Sequence, residues 1–383
     1  MPSRAHQLLS LGQSVWLDFI RRGHLVSGEF DALVRDAGVV GVTSNPTIFQ
    51  QAIAKSADYD AAIATGIRSG LAGEPLFETL AIEDIQMACD RLRGVYDRSG
   101  GMDGRVSLEV SPTLAHDSPG TLAAAKRLNA AVARANVMIK IPATKAGVPA
   151  IAAAIEAGIS INVTLIFTLE RYREVMEAFL SGLERRAAAG GALSEIRSVA
   201  SFFVSRVDSK VDAAIDTRLA TLPAGATEHA ELEALRGKAA IANARLAYAA
   251  YEEVFGSPRF ASLRAKGANV QRPLWASTST KNPAYRDVMY VEELIGADTV
   301  NTMPPNTLAA FNDHGVVEAR IQNDLAGAKA TFARLPALGV PLEDLIGQLE
   351  EEGVKSFSKS FEELLATLEA KRKDVLAQGS IKG

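Results

Sequence analysis

Cysteine is nearly absent. Cys89 is the only one in 383 residues, so no intrachain disulfide can form, and a reducing compartment is the expected setting. It falls in the helical pattern IEDIQMACDRL and reads as an inert packing residue rather than a nucleophile. Metal motifs are missing as well: there is no HExxH and no pair of CxxC motifs, which leaves a zinc site unsupported. The histidines are scattered at positions 6, 24, 116, 229 and 314. None falls in a predicted strand, so a Ser-His-Asp triad is unsupported too, and each reads as a surface or loop residue. No long unbroken apolar run exists. The most apolar stretch, Val148 to Phe167, is interrupted by Glu156, Gly158 and Asn162, which argues against a membrane span. The opening MPSRAHQLLSLGQSV lacks the apolar core of a signal peptide, so a cytoplasmic location is expected, and the Asn162-Val163-Thr164 sequon is uninformative without secretion. Excess positive charge is lacking: a net charge of −4 argues against a nucleic-acid surface. The turn DRSGGMDGR is glycine-rich but matches neither a Walker A loop nor GxGxxG. No fixed-period repeat and no low-complexity boundary divides the chain.

What is present is alternation. Short β-branched runs recur at VWLDFI (15–20), VVGVTSN (39–45), RVSLEV (105–110) and NVMIKI (136–141), then at ISINVTLIF (159–167), SVASFFV (198–204), RPLWAS (272–277) and DTVNTM (298–303). Amphipathic stretches such as TLAAAKRLNAAVARA and LERYREVMEAFLSGLERRAAA separate them. Strand–helix alternation predicts parallel βαβ units. Eight of them favour a closed barrel over an open sheet. Several runs are apolar on both faces, as strands covered on both sides must be. The expectation is an α/β chain, a (β/α)8 TIM barrel with additional helices, forming one domain over 1–383. Two regions exceed a minimal barrel: two or three helices within about 46–100, and a helical insertion at about 205–268. The tail predicts a terminal amphipathic helix over about 354–377.

The informative positions are polar residues inside these runs. Asp18 interrupts VWLDFI, Glu109 interrupts VSLEV and Lys140 interrupts NVMIKIP; Asn45 ends GVTSN, and Asn162 and Thr164 sit in INVTLIF. Each lies in, or at the C-terminal end of, a predicted strand, and in a parallel barrel those ends converge on the active-site face. Burying charges singly is costly, so a shared polar site is the economical reading. Strand alternation puts Val137, Ile139 and Ile141 on one face and Met138 and Lys140 on the other. The first set suits the outer helices, which turns Lys140 inward. Desolvation disfavours an ammonium, and a neutral amine can form a Schiff base with a ketone, whose iminium is an electron sink for C–C cleavage. The alternative is a lysine paired with a carboxylate for packing alone. Lys145, past Pro142 in a predicted loop, is the competing amine and should stay solvated. Asp18 and Glu109 fit an acid–base pair that divides the proton transfers of aldol chemistry, or else serve as ion-pair partners. Ser201, Arg206, Ser277, Ser279 and Lys281 lie near the ends of strands six and seven. Barrels often hold phosphate near strands seven and eight, and arginine clamps phosphate bidentately, although Arg206 also suits a surface salt bridge.

Taken together, GVTSNPTIF (41–49), VSLEVSP (106–112), NVMIKIPAT (136–144), INVTLIF (161–167), SFFVSRVD (201–208), LWASTSTKNP (274–283) and ADTVNTMPPNTL (297–308) resemble the transaldolase family, in its longer bacterial form. The resemblance runs from Asp18 to the C-terminal helix. Any one segment would be weak; all of them in this order are specific. It implies Lys140 as the Schiff-base lysine and Asp18 as the residue handling the proton at the cleaved bond. Glu109 and Thr164 would hold a catalytic water. It implies that Thr43, Asn45 and Asn162 bind substrate hydroxyls, and that Ser201, Arg206 and Ser277 lie near the substrate phosphate. Many relatives carry arginine where Ser279 stands, so Lys281 becomes the candidate for that charge. The implied reaction moves a dihydroxyacetone unit from sedoheptulose 7-phosphate to glyceraldehyde 3-phosphate, giving erythrose 4-phosphate and fructose 6-phosphate, a step of the non-oxidative pentose phosphate pathway. No metal or organic cofactor is implied. The partners would be sugar phosphates, not nucleic acid or membrane, and the chain a monomer or homodimer. A fructose-6-phosphate aldolase-like lyase is the alternative. Those relatives are far shorter and tend to replace the glutamate with glutamine, so Glu109 and the length favour transfer.

Overall fold

The computed structural model describes residues 2–223 and 226–380. Positions 1, 224–225 and 381–383, which the expected domain and insertion include, lie outside the described residues. The eight expected strands are found as β1 (Gln13–Leu17), β2 (Gly41–Val42), β3 (Arg105–Glu109), β4 (Val137–Pro142), β5 (Ile161–Ile166), β6 (Ser198–Phe203), β7 (Gln271–Ala276) and β8 (Thr299–Met303). They close in sequence order into a parallel barrel, β8 pairing with β1, with helices around it. The fold is the (β/α)8 barrel that the alternation predicts. β2 is shorter than its run, but Val40 and Thr43 on either side still donate backbone hydrogen bonds to Val15 and Leu17, at 2.9 Å each.

Side-chain alternation decides what enters the barrel. Adjacent parallel strands align Trp16 with Gly41 and Thr302, Glu109 with Lys140, and Lys140 with Asn162. Trp16 fills the middle of the barrel because position 41 has no side chain; a Cβ there would stand 2.6 Å from the indole ring. Beneath Trp16 the lumen is closed by ions. Arg272 meets Asp103 at 3.2 Å and donates to Ser14 Oγ and the Thr299 carbonyl, while Ser14 Oγ and Trp16 Nε1 both donate to Asp103. Arg272, Asp103 and Ser14 each make more than one hydrogen bond here, which offsets the cost of burying the charges, although Arg272 Nε itself has no partner.

Residues 46–100 hold four helices, Pro46–Ala54, Asp60–Arg68, Gly73–Arg91 and Arg93–Arg98, where two or three were expected. Asn45 caps the first of them, its Oδ1 accepting from the Ile48 amide at 2.9 Å with Pro46 at the first helical position, a pairing suited to helix starts. Between β6 and β7 run Ser205–Thr221, Thr227–Leu235, Ala239–Phe255 and Pro258–Arg264. The C-terminal helix, Leu342–Ser380, starts upstream of the expected 354. Its buried stripe of Ile346, Leu349, Val354, Phe357, Phe361, Leu364 and Leu368 keeps the spacing of one helical face. That face lies against the Pro46–Ala54 helix and crosses toward β5 and the Ser205–Thr221 helix. No described helix is long and apolar enough to cross a membrane.

Candidate active site

At the C-terminal ends of the strands, above Trp16, the barrel holds a second cluster of ionisable residues. Lys140, 4% exposed, has its Nζ 3.2 Å from Glu109 Oε2 and donates to the Ser44 carbonyl at 3.1 Å. The register that levels β3 with β4 brings this pair together. The approach to Glu109 lacks hydrogen-bond alignment, so Glu109 Oε2 has no hydrogen-bond partner, and neither does the buried Thr164 Oγ1. Asp18 accepts from Thr43 Oγ1 at 2.6 Å, and Thr43 is braced in turn by Thr302 Oγ1 at 2.6 Å.

Burial raises the pKa of both carboxyls. For Asp18 the opposing pull comes first from Lys140, then from the Thr43 hydroxyl, Arg206 and Lys281. For Glu109 it comes from Lys140, while the nearby Asp18 pushes the same way as burial. Each is therefore easier to protonate than a solvated carboxylate, as proton shuttles must be. Cys89 is fully buried, burial lifts its thiol to about 12, and it stands apart from this cluster.

Across the cavity, Arg206 is the second residue of the Ser205–Thr221 helix. Its guanidinium lies 5.1 Å from the Phe203 ring centroid and no carboxylate among the described residues pairs with it. Burial lowers its pKa, against the pull of Asp18. Lys281 sits on the rim, its Nζ donating to Ser279 Oγ at 2.8 Å; burial and the Arg206 charge lower its pKa while Asp18 raises it. Ser277 follows β7 in a left-handed conformation, φ 59°. That turn sets its Oγ 2.9 Å from Ser205 Oγ and its carbonyl 3.0 Å from the Ser205 amide. Arg206 near a helix N-terminus and Lys281 on the facing rim, neither paired with a carboxylate among the described residues, are an arrangement suited to an anion.

Ten of the twelve site residues singled out in the sequence line one cavity of about 180 Å³: Asp18, Thr43, Asn45, Lys140, Thr164, Ser201, Arg206, Ser277, Ser279 and Lys281. The other two stand behind it. Glu109 borders a separate small cavity beside Phe49, Phe77 and Phe361. Asn162 is fully buried below Lys140, donating to Ser107 Oγ at 3.0 Å and accepting from Ser201 Oγ at 2.7 Å. Asn45 spends its oxygen on capping a helix. Lys145 is exposed in a turn. The sequence reading missed Thr302, which supports Thr43, and Phe357, whose ring centroid is 5.8 Å from Lys140 Nζ. Thr302 could have been found from its inward parity with Trp16 on the neighbouring strand. Among the described residues no group of three or more His, Cys, Asp or Glu could hold a metal.

The Transaldolase/Fructose-6-phosphate aldolase family model matches residues 15–368. Among curated relatives, "Transaldolase 1" of Streptomyces coelicolor is 53% identical over 363 residues, covering 94% of this chain and 93% of the relative. "Transaldolase" of Mycolicibacterium smegmatis is 52% identical over 359 residues, 94% of each. "Transaldolase" of Frankia alni is 50% identical over 370 residues, 96% of this chain and 97% of the relative. With the barrel closed around a buried lysine and the match spanning nearly all the sequence, the chain belongs to the transaldolase/fructose-6-phosphate aldolase family.

Proposed function

We propose that the chain is a transaldolase, an enzyme that moves a dihydroxyacetone unit from sedoheptulose 7-phosphate to glyceraldehyde 3-phosphate through a Schiff base on Lys140. The observation that carries the reading is the sheltered Lys140 amine against Glu109, with Asp18 close enough to feel the Lys140 charge and to push the Glu109 carboxyl up. Glu109 takes a proton from Lys140, and the free amine adds to the ketose carbonyl. Water leaves as the iminium forms. Asp18 then removes the proton from the hydroxyl at the bond to be broken, and the electron pair of that C–C bond runs into the iminium. Erythrose 4-phosphate departs and the three-carbon enamine stays on Lys140. Addition to the incoming aldehyde reverses these steps and yields fructose 6-phosphate. The iminium is the electron sink, so the chemistry asks for no metal or organic cofactor.

Glu109 and Thr164 have unused hydrogen-bonding capacity, suited to holding the water that carries protons between carboxyl and substrate. Arg206, the helix N-terminus and Lys281 receive the phosphate, with Lys281 standing in for the arginine common at position 279. Thr43 orients Asp18; Asn45 and Ser201 complete the polar wall for substrate hydroxyls, and Asn162 holds Ser201 from behind. The chain acts in the cytoplasm as a monomer or homodimer, on sugar phosphates rather than nucleic acid. Borohydride reduction in the presence of fructose 6-phosphate should leave a stable adduct on Lys140, absent in Lys140→Ala. Free dihydroxyacetone formed as fast as the transfer product would replace the transferase reading with a lyase.

A further inference from the structure

The polar cavity has one apolar side that the barrel does not supply. Phe357 arrives from the C-terminal helix, is 4% exposed, lines the same cavity as Lys140 and Asp18, and holds its ring centroid 5.8 Å from Lys140 Nζ. The helix is fastened where it crosses the mouth. Ser360 Oγ lies 2.8 Å from Thr47 Oγ1, next to the Asn45 cap. Phe361 packs edge-on to Phe77 at 5.6 Å, and Phe77 to Phe49 at 5.5 Å. Glu352 pairs with Lys210, on the helix that carries Arg206. Gly353 allows a still closer contact. A Cβ there would come within 2.8 Å of Leu165 Cδ2, and Leu165 itself is left-handed, φ 58°, at a register shift in β5 beside Thr164. Bulges re-aim side chains beside active sites, and a non-glycine residue at positive φ is held only by its surroundings. The strand is bent to meet the helix one turn before Phe357.

Resting on the Schiff-base reading above, we propose that Phe357 is a specificity-determining residue. It keeps water off the lysine-bound three-carbon unit so that this unit passes to an aldehyde instead of being released. Release needs two events. The nucleophilic carbon of the enamine takes a proton, giving an iminium. Water then adds to the iminium carbon, the C–N bond breaks with its electron pair returning to Lys140, and the water protons end on the amine and on solvent. The sum is enamine plus water to free amine plus dihydroxyacetone. A phenyl face above Nζ opposes the second event by excluding the attacking water. It also favours the cationic nitrogen through the ring quadrupole. The acceptor aldehyde enters from the polar side, past Arg206 and Lys281, and does not have to displace the ring.

The test measures partition in the full-length protein: free dihydroxyacetone released per fructose 6-phosphate consumed, with and without erythrose 4-phosphate as acceptor. Borohydride trapping at Lys140 runs in parallel. Phe357→Ala should raise the ratio of release to transfer about tenfold, the scale of one lost ring contact plus admitted water, with the Lys140 adduct still formed. Phe357→Leu, which keeps apolar cover but not the ring, should fall between the two. Should Phe357→Ala yield no folded protein, Phe357→Gln preserves length and brings polarity to the same place, and the same rise is expected. A partition equal to wild type in the folded variants, with the adduct formed, overturns the proposal while leaving the Schiff-base reading intact. Absence of any adduct in the wild type removes both.

Discussion

Asp208 offers the sharpest quantitative test of the electrostatics. It lies two residues beyond Arg206, is 1% exposed, and accepts from Tyr290 Oη and the Ala240 amide at 2.8 Å each. Burial pushes its carboxyl from 3.8 up to about 7 against those two hydrogen bonds, with Asp212 adding to the rise. Each decade of proton affinity is worth about 1.4 kcal/mol, so keeping this group ionised in the fold costs roughly 4 kcal/mol. The folded pKa lies above the unfolded one. The protonated form's contribution is therefore complete below about pH 4 and lost as pH rises through about 7. Asp208→Asn keeps an acceptor for Ala240 and removes the titration. Denaturant unfolding at pH 4 and pH 8 should show the variant near parity with wild type in acid and more stable by roughly 4 kcal/mol at pH 8. Asp84, held up at about 6 by burial, and the site carboxyls titrate in both proteins and cancel in the difference. Parallel stability–pH curves for the two proteins would refute the argument.

Other outcomes follow from the site. Arg206→Ala should raise KM for phosphorylated donors about 10- to 100-fold, the worth of one charge-assisted contact, and change KM for a ketose without phosphate far less; Lys281→Ala should act in the same sense but more weakly. Glu109→Gln should lower kcat by about 10²–10⁴-fold, the scale of a lost proton shuttle, with KM nearly constant, as steady-state kinetics would report. Because burial holds Asp18 above its ordinary pKa, the acid limb of kcat/KM should begin above the usual carboxylate range; a limb centred near pH 4 would contradict its placement. Arg272→Met strands the buried Asp103 and should cost about 3–5 kcal/mol in unfolding experiments.

The barrel was legible because parallel strands covered on both faces must be apolar runs, and a lysine or carboxylate inside such a run stands out. Lys140, Asp18 and Glu109 are conspicuous for that reason alone, and the alternation of Val137, Ile139 and Ile141 against Met138 and Lys140 sets the direction. Phe357 carries no such mark. A phenylalanine on an amphipathic stripe looks the same whether it meets core or cavity, and its distance of more than two hundred residues from Lys140 hides the contact. The left-handed Leu165 is equally silent, since nothing in INVTLIF announces a bulge. Asn45 is a different case. Its Oδ1 caps the helix that Pro46 begins while the residue still lines the cavity, a double use that the sequence does not show. The helix running from Leu342 was placed too late because its first turns, rich in Glu and Leu, lack the denser pattern of EELLATLEAKRKDVL.

The ionic floor of Arg272, Asp103 and Ser14 makes the barrel a blind cup. Whatever reaches Lys140 must leave by the way it came. Two sugar phosphates cannot pass one another in so small a volume, so the first product has to vacate before the second substrate enters. Ping-pong kinetics then become a matter of plumbing, and a surplus of one sugar should inhibit by standing in the doorway of the other.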